Sequence, residues 1–191
     1  MKTTHFDVGA NAVVQLGENL YKNTYGVLIE YITNSYDADA SFVKINIDRI
    51  KGTVTIEDDG VGMTLDELGD NFLKVGNNRR KKYITKTTDK GRLVTGRKGF
   101  GKLACFGLFK SFKVDTYKNN QKSTLIVTSK LNEDDEFEYE ALIDEESTPI
   151  QHSNGTIIYL SENTSEIVDN ESLSESIAKR LNIMYDGTAT D

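Results

Sequence analysis

The chain has 191 residues, of which 37% are hydrophobic and 28% are charged, a composition typical of one well-buried globular domain and not of a disordered chain. Its net charge of −7 argues against a protein that coats nucleic acid, and its single cysteine and two distant histidines argue against a disulfide and a histidine-based zinc site. No apolar run approaches the length of a membrane span and the first residues lack the apolar core of a signal peptide, so we expect a cytoplasmic protein without membrane contact.

The N-terminal part of the chain predicts an edge strand or a mobile arm over residues 1–9 and a helix over residues 11–22. A second, amphipathic helix follows over residues 25–39, because apolar side chains recur there at helical spacing. Glu30, Asn34 and Asp37 lie at i, i+4 and i+7, along one stripe of this helix. A carboxylate and an amide one turn apart can hold a metal-bound phosphate and a water molecule between them.

Residues 42–58 alternate apolar and polar side chains around a central Lys-Gly turn, which predicts a β-hairpin. Its second strand ends at the acid Asp58, and Gly60 and Gly62 follow, so we expect a tight turn beside a pocket. A buried acid is costly without a partner, and the neighbouring Asp59 is the better candidate for an ordinary turn acid.

The middle of the chain combines helical segments with a long polar loop. A capping box at Thr64 and Glu67 predicts a helix that continues to about residue 75. Residues 76–97 are rich in basic side chains and predict either a solvated loop or a functional one, since loops of this length are uncommon in compact domains. The apolar residues within 99–109 predict a short buried helix.

The segment Gly96–Lys102 approaches a P-loop in its spacing of glycines and lysine. Leu103 stands where that motif needs a hydroxyl, and no clear strand precedes the segment, so we reject the P-loop interpretation. The backbone N–H groups of these glycines at a helix start could still bind phosphate.

The C-terminal half predicts further strands and one closing helix. The strands are expected at residues 112–117, 123–131, 136–143 and 156–162, and the helix at Ser172–Tyr185. The predicted fold class is therefore α+β, a two-layer α/β sandwich in which helices cover one face of a mixed, mostly antiparallel sheet.

Three motifs occur in order: Glu30-x-x-x-Asn34-x-x-Asp37-Ala38, Asp58-x-Gly60-x-Gly62 and the glycine-rich segment Gly96–Lys102. They resemble the N, G1 and G2 boxes of the GHKL ATPases, the superfamily of gyrase B, heat-shock chaperones, histidine kinases and MutL proteins. The third motif is closest to heat-shock-chaperone and MORC-like members. The resemblance covers nearly the whole chain and implies the Bergerat fold of that superfamily.

The resemblance also implies roles for single residues. Glu30 would be the catalytic base, Asn34 the Mg²⁺ ligand and Asp58 the group that recognises adenine. Asp37 would either contribute to the site or pair with a basic residue near it. The implied ATP-binding and Mg²⁺-binding residues are Asn34, Asp37, Ala38, Asp58, Gly60, Gly62, Met63, Gly96, Lys98, Gly99, Phe100, Gly101, Lys102 and Thr156.

We therefore expect a single ATPase domain over residues 1–191 that binds ATP, ADP and Mg²⁺ and forms the N-terminal part of a longer protein. In the resembling family, residues of about 76–98 would form a lid, mobile without nucleotide and folded over ATP. The full-length protein would be an ATP-dependent homodimer with a DNA or protein client, as in bacterial MORC-like or defence ATPases. The alternatives are a histidine-kinase-like phosphotransfer domain and a nucleotide-gated binding module with little turnover.

Overall fold

The computed structural model describes residues 2–5, 24–70, 87–95, 108–131, 137–145 and 151–163, together with the helical positions 175, 177 and 179. In chain order these residues form the strand β1 (Lys2–His5), the helix α1 (Thr24–Asp37), the strands β2 (Val43–Asp48) and β3 (Thr53–Asp58), the short helix α2 (Leu65–Leu68), and the strands β4 (Phe109–Lys118), β5 (Gln121–Leu131), β6 (Phe137–Glu145) and β7 (Gly155–Asn163). Among the described residues, no helix is long and apolar enough to cross a membrane.

The described strands form one seven-stranded sheet in the order β1-β6-β5-β4-β7-β3-β2, and each neighbouring pair is antiparallel. The predicted hairpin is confirmed, because β2 and β3 pair from Val43 with Asp58 to Asp48 with Thr53. Of the two alternatives for the N-terminus, the edge strand is confirmed, since β1 pairs with β6 at the sheet edge.

The hydrophobic core lies between α1 and one face of the sheet. Alternate residues of each central strand are buried on this face, as Val54 and Ile56 are in β3. Val27, Leu28 and Tyr31 of α1 belong to the same core cluster. Burying each large apolar side chain contributes roughly 1.5–3 kcal/mol, so this shared core holds the helix against the sheet. The predicted two-layer sandwich is confirmed.

The predicted helices are confirmed where the structure describes them, with one exception. Thr64 and Glu67 form the capping box that begins α2, and Ile177 of the closing helix packs against the core. The helix predicted over 99–109 is wrong at its end, because Phe109 begins β4 and pairs with β7. Sheet pairing there overrides an apolar run that is equally compatible with a helix. Residues 11–22, 71–86 and 99–107 lie outside the described residues.

Candidate functional site

Four polar residues form a row across the core face of the sheet, at the end of its apolar strip. Asp58 of β3 pairs with Thr156 of β7, Thr156 with Thr116 of β4, and Thr116 with Ser123 of β5. Thr116 and Ser123 are 0% and 1% exposed, and Thr156 is 7% exposed. Buried polar groups are costly without partners, so this polar row marks the place on the face where a site can form.

Asp58 is the only acid of the polar row, and both of its oxygens accept hydrogen bonds. The Ser35 hydroxyl of α1 donates to Oδ2 at 2.8 Å, and the Gly60 N–H donates to Oδ1 at 2.9 Å. Burial raises the pKa of Asp58, and the hydrogen bonds from Ser35 and Gly60 only partly oppose it. A further hydrogen-bond donor from a ligand would therefore stabilise the charged form of this carboxylate.

Asp59, the candidate for an ordinary turn acid, instead accepts hydrogen bonds from a distant part of the chain. Its Oδ1 accepts from the Ser41 N–H at 2.6 Å and from the Phe42 N–H at 3.0 Å. These backbone hydrogen bonds lower the pKa of Asp59. The two neighbouring acids thus have different roles. Asp58 belongs to the polar row of the core face, and Asp59 binds the backbone just before β2.

The loop after β3 lies directly against the C-terminal end of α1. The Val61 N–H donates to the Ala38 carbonyl at 2.9 Å. A Cβ at Gly60 would stand 2.8 Å from the Ala38 oxygen and 3.0 Å from the Ala38 Cβ. Gly62 has a φ of +65°, and a Cβ there would collide with the carbonyl of Tyr117. Close packing against protein therefore already requires both glycines, before any ligand is considered.

The hydroxyl of Thr116 connects this loop to β7. The Met63 N–H donates to Thr116 Oγ1 at 2.9 Å. The same oxygen lies 3.2 Å from the Gly155 carbonyl and 3.3 Å from Thr156 Oγ1. Met63 and Thr156, which were predicted as site residues, are thus held by a residue that sequence reasoning missed.

The sequence analysis also missed Ser35, which lies buried on α1 among apolar positions. A serine among apolar positions at helical spacing was the available signal. For Thr116, the signal was a threonine at a core-facing position of a strand that otherwise buries Phe112 and Val114. Neither signal identifies the partner, which depends on how the helix and the strands pack together.

Glu30 and Asn34 lie half-buried on α1, one turn apart, as predicted. Asn34 directly precedes Ser35, whose hydroxyl donates to Asp58, so this turn of α1 adjoins the end of β3. In the part of the chain that the structure describes, no group of three or more histidine, cysteine or acidic side chains could hold a metal. An amide oxygen fits Mg²⁺ in the way the sequence predicts, with phosphates and waters as the remaining ligands.

Asp37 anchors a neighbouring segment of the chain. Its Oδ1 accepts hydrogen bonds from the Thr95 N–H at 2.9 Å and the Thr95 hydroxyl at 2.8 Å. The sequence leaves open whether Asp37 contributes to the site or pairs with a basic residue, and both alternatives stay predictions. Asp37 therefore joins α1 to residues 87–95, which lie within the predicted lid.

Asp39, two residues beyond α1, holds the same segment at a second point. It is buried and has a φ of +60°, a conformation that acidic and amide side chains tolerate better than most. Its carboxylate accepts from the Thr88 hydroxyl at 2.5 Å and from the Lys90 N–H at 3.1 Å. Burial would raise the pKa of Asp39, but these hydrogen bonds and the charges of Arg92 and Lys90 lower it overall.

The predicted phosphate-binding residues lie outside the described part of the chain. These are Gly96, Lys98, Gly99, Phe100, Gly101 and Lys102. The described structure therefore brings together Asp58, Gly60, Gly62, Met63 and Thr156 at the end of the sheet, with Ala38 against them and Glu30 and Asn34 on α1.

Comparison with known proteins gives one family and two curated relatives. The family described as "Histidine kinase-, DNA gyrase B-, and HSP90-like ATPase" matches residues 21–157. "Putative type II restriction enzyme HgiDII" of Herpetosiphon aurantiacus is 34% identical over 61% of this chain and 18% of its own length. "TNF receptor-associated protein 1 homolog, mitochondrial" of Dictyostelium discoideum is 30% identical over 53% of this chain and 17% of its own length. The chain thus spans less than a fifth of either relative.

Proposed function

This chain belongs to the histidine kinase-, DNA gyrase B- and HSP90-like ATPases, and on that basis we propose that it binds ATP at the end of β3 and hydrolyses it with Mg²⁺. The observation that carries the proposal is the buried carboxylate of Asp58, held by Ser35 and Gly60 while burial raises its pKa. The charged form of such a carboxylate is stabilised by a ligand that brings a hydrogen-bond donor, as the exocyclic amine of adenine does.

The surroundings of Asp58 support base binding. Gly60 and Gly62 place backbone without side chains in the loop that follows Asp58. Met63 is half-buried against the core, and its thioether is suited to packing on a flat ring. Thr156 adds a hydroxyl on the neighbouring strand, in register with Asp58. Adenine would therefore meet one acid, one hydroxyl and one apolar contact.

Residues of α1 would form part of the phosphate end of the site. Asn34 would supply the protein ligand to Mg²⁺, which neutralises charge on the phosphoryl group during transfer. Glu30, one turn earlier, would orient the attacking water and accept its proton. The glycine-rich segment 96–102 would bind the phosphates through backbone N–H groups at a helix start. A carboxylate at position 30 favours water over a protein side chain as the phosphoryl acceptor.

The proposal extends to the biological role of the ATPase. Residues 1–191 would form one ATPase domain whose lid is formed by residues of about 76–98, in an intracellular protein that dimerises with ATP. The similarity to a protein named as a restriction enzyme favours a DNA-associated defence role, in which ATP drives a conformational switch of linked segments. The MORC-like resemblance of the glycine-rich segment supports the same role.

Calorimetry with ADP, and with a non-hydrolysable ATP analogue in the presence and absence of Mg²⁺, tests the proposal. We expect both nucleotides to bind. Mg²⁺ should increase the affinity for the ATP analogue but not the affinity for ADP. Asp59→Asn is the matched control for Asp58→Asn, because it makes the same change at the adjacent acid that holds backbone N–H groups. Absence of adenine-nucleotide binding in the parent protein would overturn the proposal.

Hydrolysis is tested with radiolabelled ATP. We expect release of phosphate, which Glu30→Gln lowers by roughly a hundredfold or more while nucleotide binding persists, because general-base help has about that magnitude. Label transferred to a protein instead would identify a kinase. If the full-length protein binds nucleotide but releases no phosphate, the remaining alternative is the nucleotide-gated binding module.

A further inference from the structure

The Thr116 hydroxyl has three neighbours but only one proton. Met63 N–H donates to Thr116 Oγ1 at 2.9 Å, and this contact uses one of its two lone pairs. The Gly155 carbonyl at 3.2 Å can only accept, whereas Thr156 Oγ1 at 3.3 Å can donate or accept. Because Thr116 is 0% exposed, no bulk water is available to complete its hydrogen bonds.

One arrangement satisfies every group in this set. Thr116 donates its proton to the Gly155 carbonyl, which is the nearer of the two remaining partners. Its second lone pair then accepts the proton of Thr156. All three hydrogen-bonding positions of Thr116 are then filled, so this buried hydroxyl is fully paired.

This arrangement fixes what Thr156 can offer to a ligand. Its proton points back to Thr116, so only lone pairs face away from β4. The Asp58 carboxylate beside it on β3 is also an acceptor. The two neighbouring groups therefore present acceptors alone to any ligand edge between them.

We propose that Thr116 is a specificity-determining residue, which orients the Thr156 hydroxyl so that the site accepts a base with an exocyclic amine and rejects one with a carbonyl at that position. The inference rests on the proposed nucleotide site. Thr116 acts through Thr156 and is a positioning residue. Without the Thr116 oxygen, the Thr156 hydroxyl can rotate and donate to a ligand. The free-energy cost of binding a base with a carbonyl at that position then falls.

The test compares binding of ATP and inosine triphosphate, which carries a carbonyl in place of the adenine amine and a proton on N1. Calorimetry gives the ratio of the two affinities for the parent chain and for Thr116→Val. We expect the preference for ATP to shrink by about threefold to tenfold, the size of one hydrogen bond between neutral groups. Loss of the Met63 contact lowers both affinities together and cancels in the ratio.

Two variants serve as controls. Thr116→Ser keeps the hydroxyl and should keep the parent ratio. Ser111→Ala removes a hydroxyl pair, Ser111 with Ser161 at 2.7 Å, that joins the same two strands on the opposite face of the sheet. It should change neither affinity. If Thr116→Val does not fold by circular dichroism, Thr116→Ala provides the same readout without added bulk.

The outcomes separate this inference from the proposed function. A parent chain that prefers ATP, with the same preference in the Thr116 variants, would overturn the inference and leave the nucleotide site standing. An equal loss of both affinities would assign Thr116 a purely structural role and also overturn it. A parent chain that binds neither nucleotide would overturn both proposals.

Discussion

The substitution Asp58→Asn should weaken nucleotide binding and stabilise the nucleotide-free protein at the same time. The two effects have opposite signs because, in the proposed function, the carboxylate binds a ligand, while its burial is a cost to the fold. Burial raises the pKa of Asp58 above its ordinary value of 3.8, so the charged form destabilises the folded state. A neutral amide of the same shape removes that cost.

The hydrogen bonds around Asp58 explain why the variant should fold. The amide oxygen can keep the Gly60 N–H as its donor. The amide nitrogen then faces Ser35 Oγ, which can turn its own proton to the Tyr31 carbonyl at 3.1 Å and accept from the amide. The Gly60 N–H and the Ser35 hydroxyl therefore both keep a partner in the variant. The adenine amine, however, meets a donor in place of an acceptor, which costs about 1.5–3 kcal/mol, or roughly tenfold to a hundredfold in affinity.

Calorimetry with ADP and thermal unfolding across pH measure both effects. The variant should be more stable than the parent at neutral pH. The difference should vanish as the pH falls below 3.8, because Asp58 is then protonated in the folded and unfolded states alike. Unchanged ADP affinity would show that Asp58 does not contact the base. A variant less stable than the parent at pH 7 would refute the argument from burial.

Three further predictions concern the contacts around the site. Asp39→Asn should lower the free energy of unfolding at pH 7 by about 1–2 kcal/mol in urea titrations, since it removes an acceptor from Thr88 or Lys90. The pKa of Asp39 is lowered from 3.8, so this loss should disappear as the pH falls through the folded-state value; a pH-independent loss would contradict the electrostatic account. Gly62→Ala should cost at least about 1–2 kcal/mol because of its positive φ and its collision with Tyr117, and retention of parent stability would disprove the tight turn. Trypsin should cleave slowly after Lys90 with or without nucleotide, because the Lys90 Nζ donates to the Asp39 carbonyl at 2.8 Å; rapid cleavage there would show that the anchor opens.

The fold could be predicted from the sequence because its signals are local. Alternation of apolar residues identified the hairpin over 42–58, and helical spacing identified α1 with its stripe of Glu30, Asn34 and Asp37. The capping box at Thr64 needs only three residues of context. Each of these patterns is set by the backbone geometry of one element, so no tertiary information is required.

The site could be predicted only in part, because its remaining contacts join distant parts of the chain. Ser35 meets Asp58 across 23 positions, and Thr116 meets Met63 across 53. The first contact depends on how α1 packs on the sheet, and the second depends on a sheet order in which β7 lies between β3 and β4. Sequence spacing carries no such information when consecutive strands are not neighbours.

The segment 87–95 shows how tertiary contacts change the expectation of a uniformly mobile lid. The resemblance implies that this segment is mobile without nucleotide and folds over ATP. In the structure, Arg92 Nη1 donates to the Ala40 carbonyl at 2.7 Å and its guanidinium lies 5.0 Å from the centre of the Tyr36 ring, while Lys90 binds the Asp39 carbonyl. These cations are already held by the protein at the end of α1. Among the described residues, Asp37 and Asp39 therefore fix the segment 87–95 to the helix that carries Glu30 and Asn34.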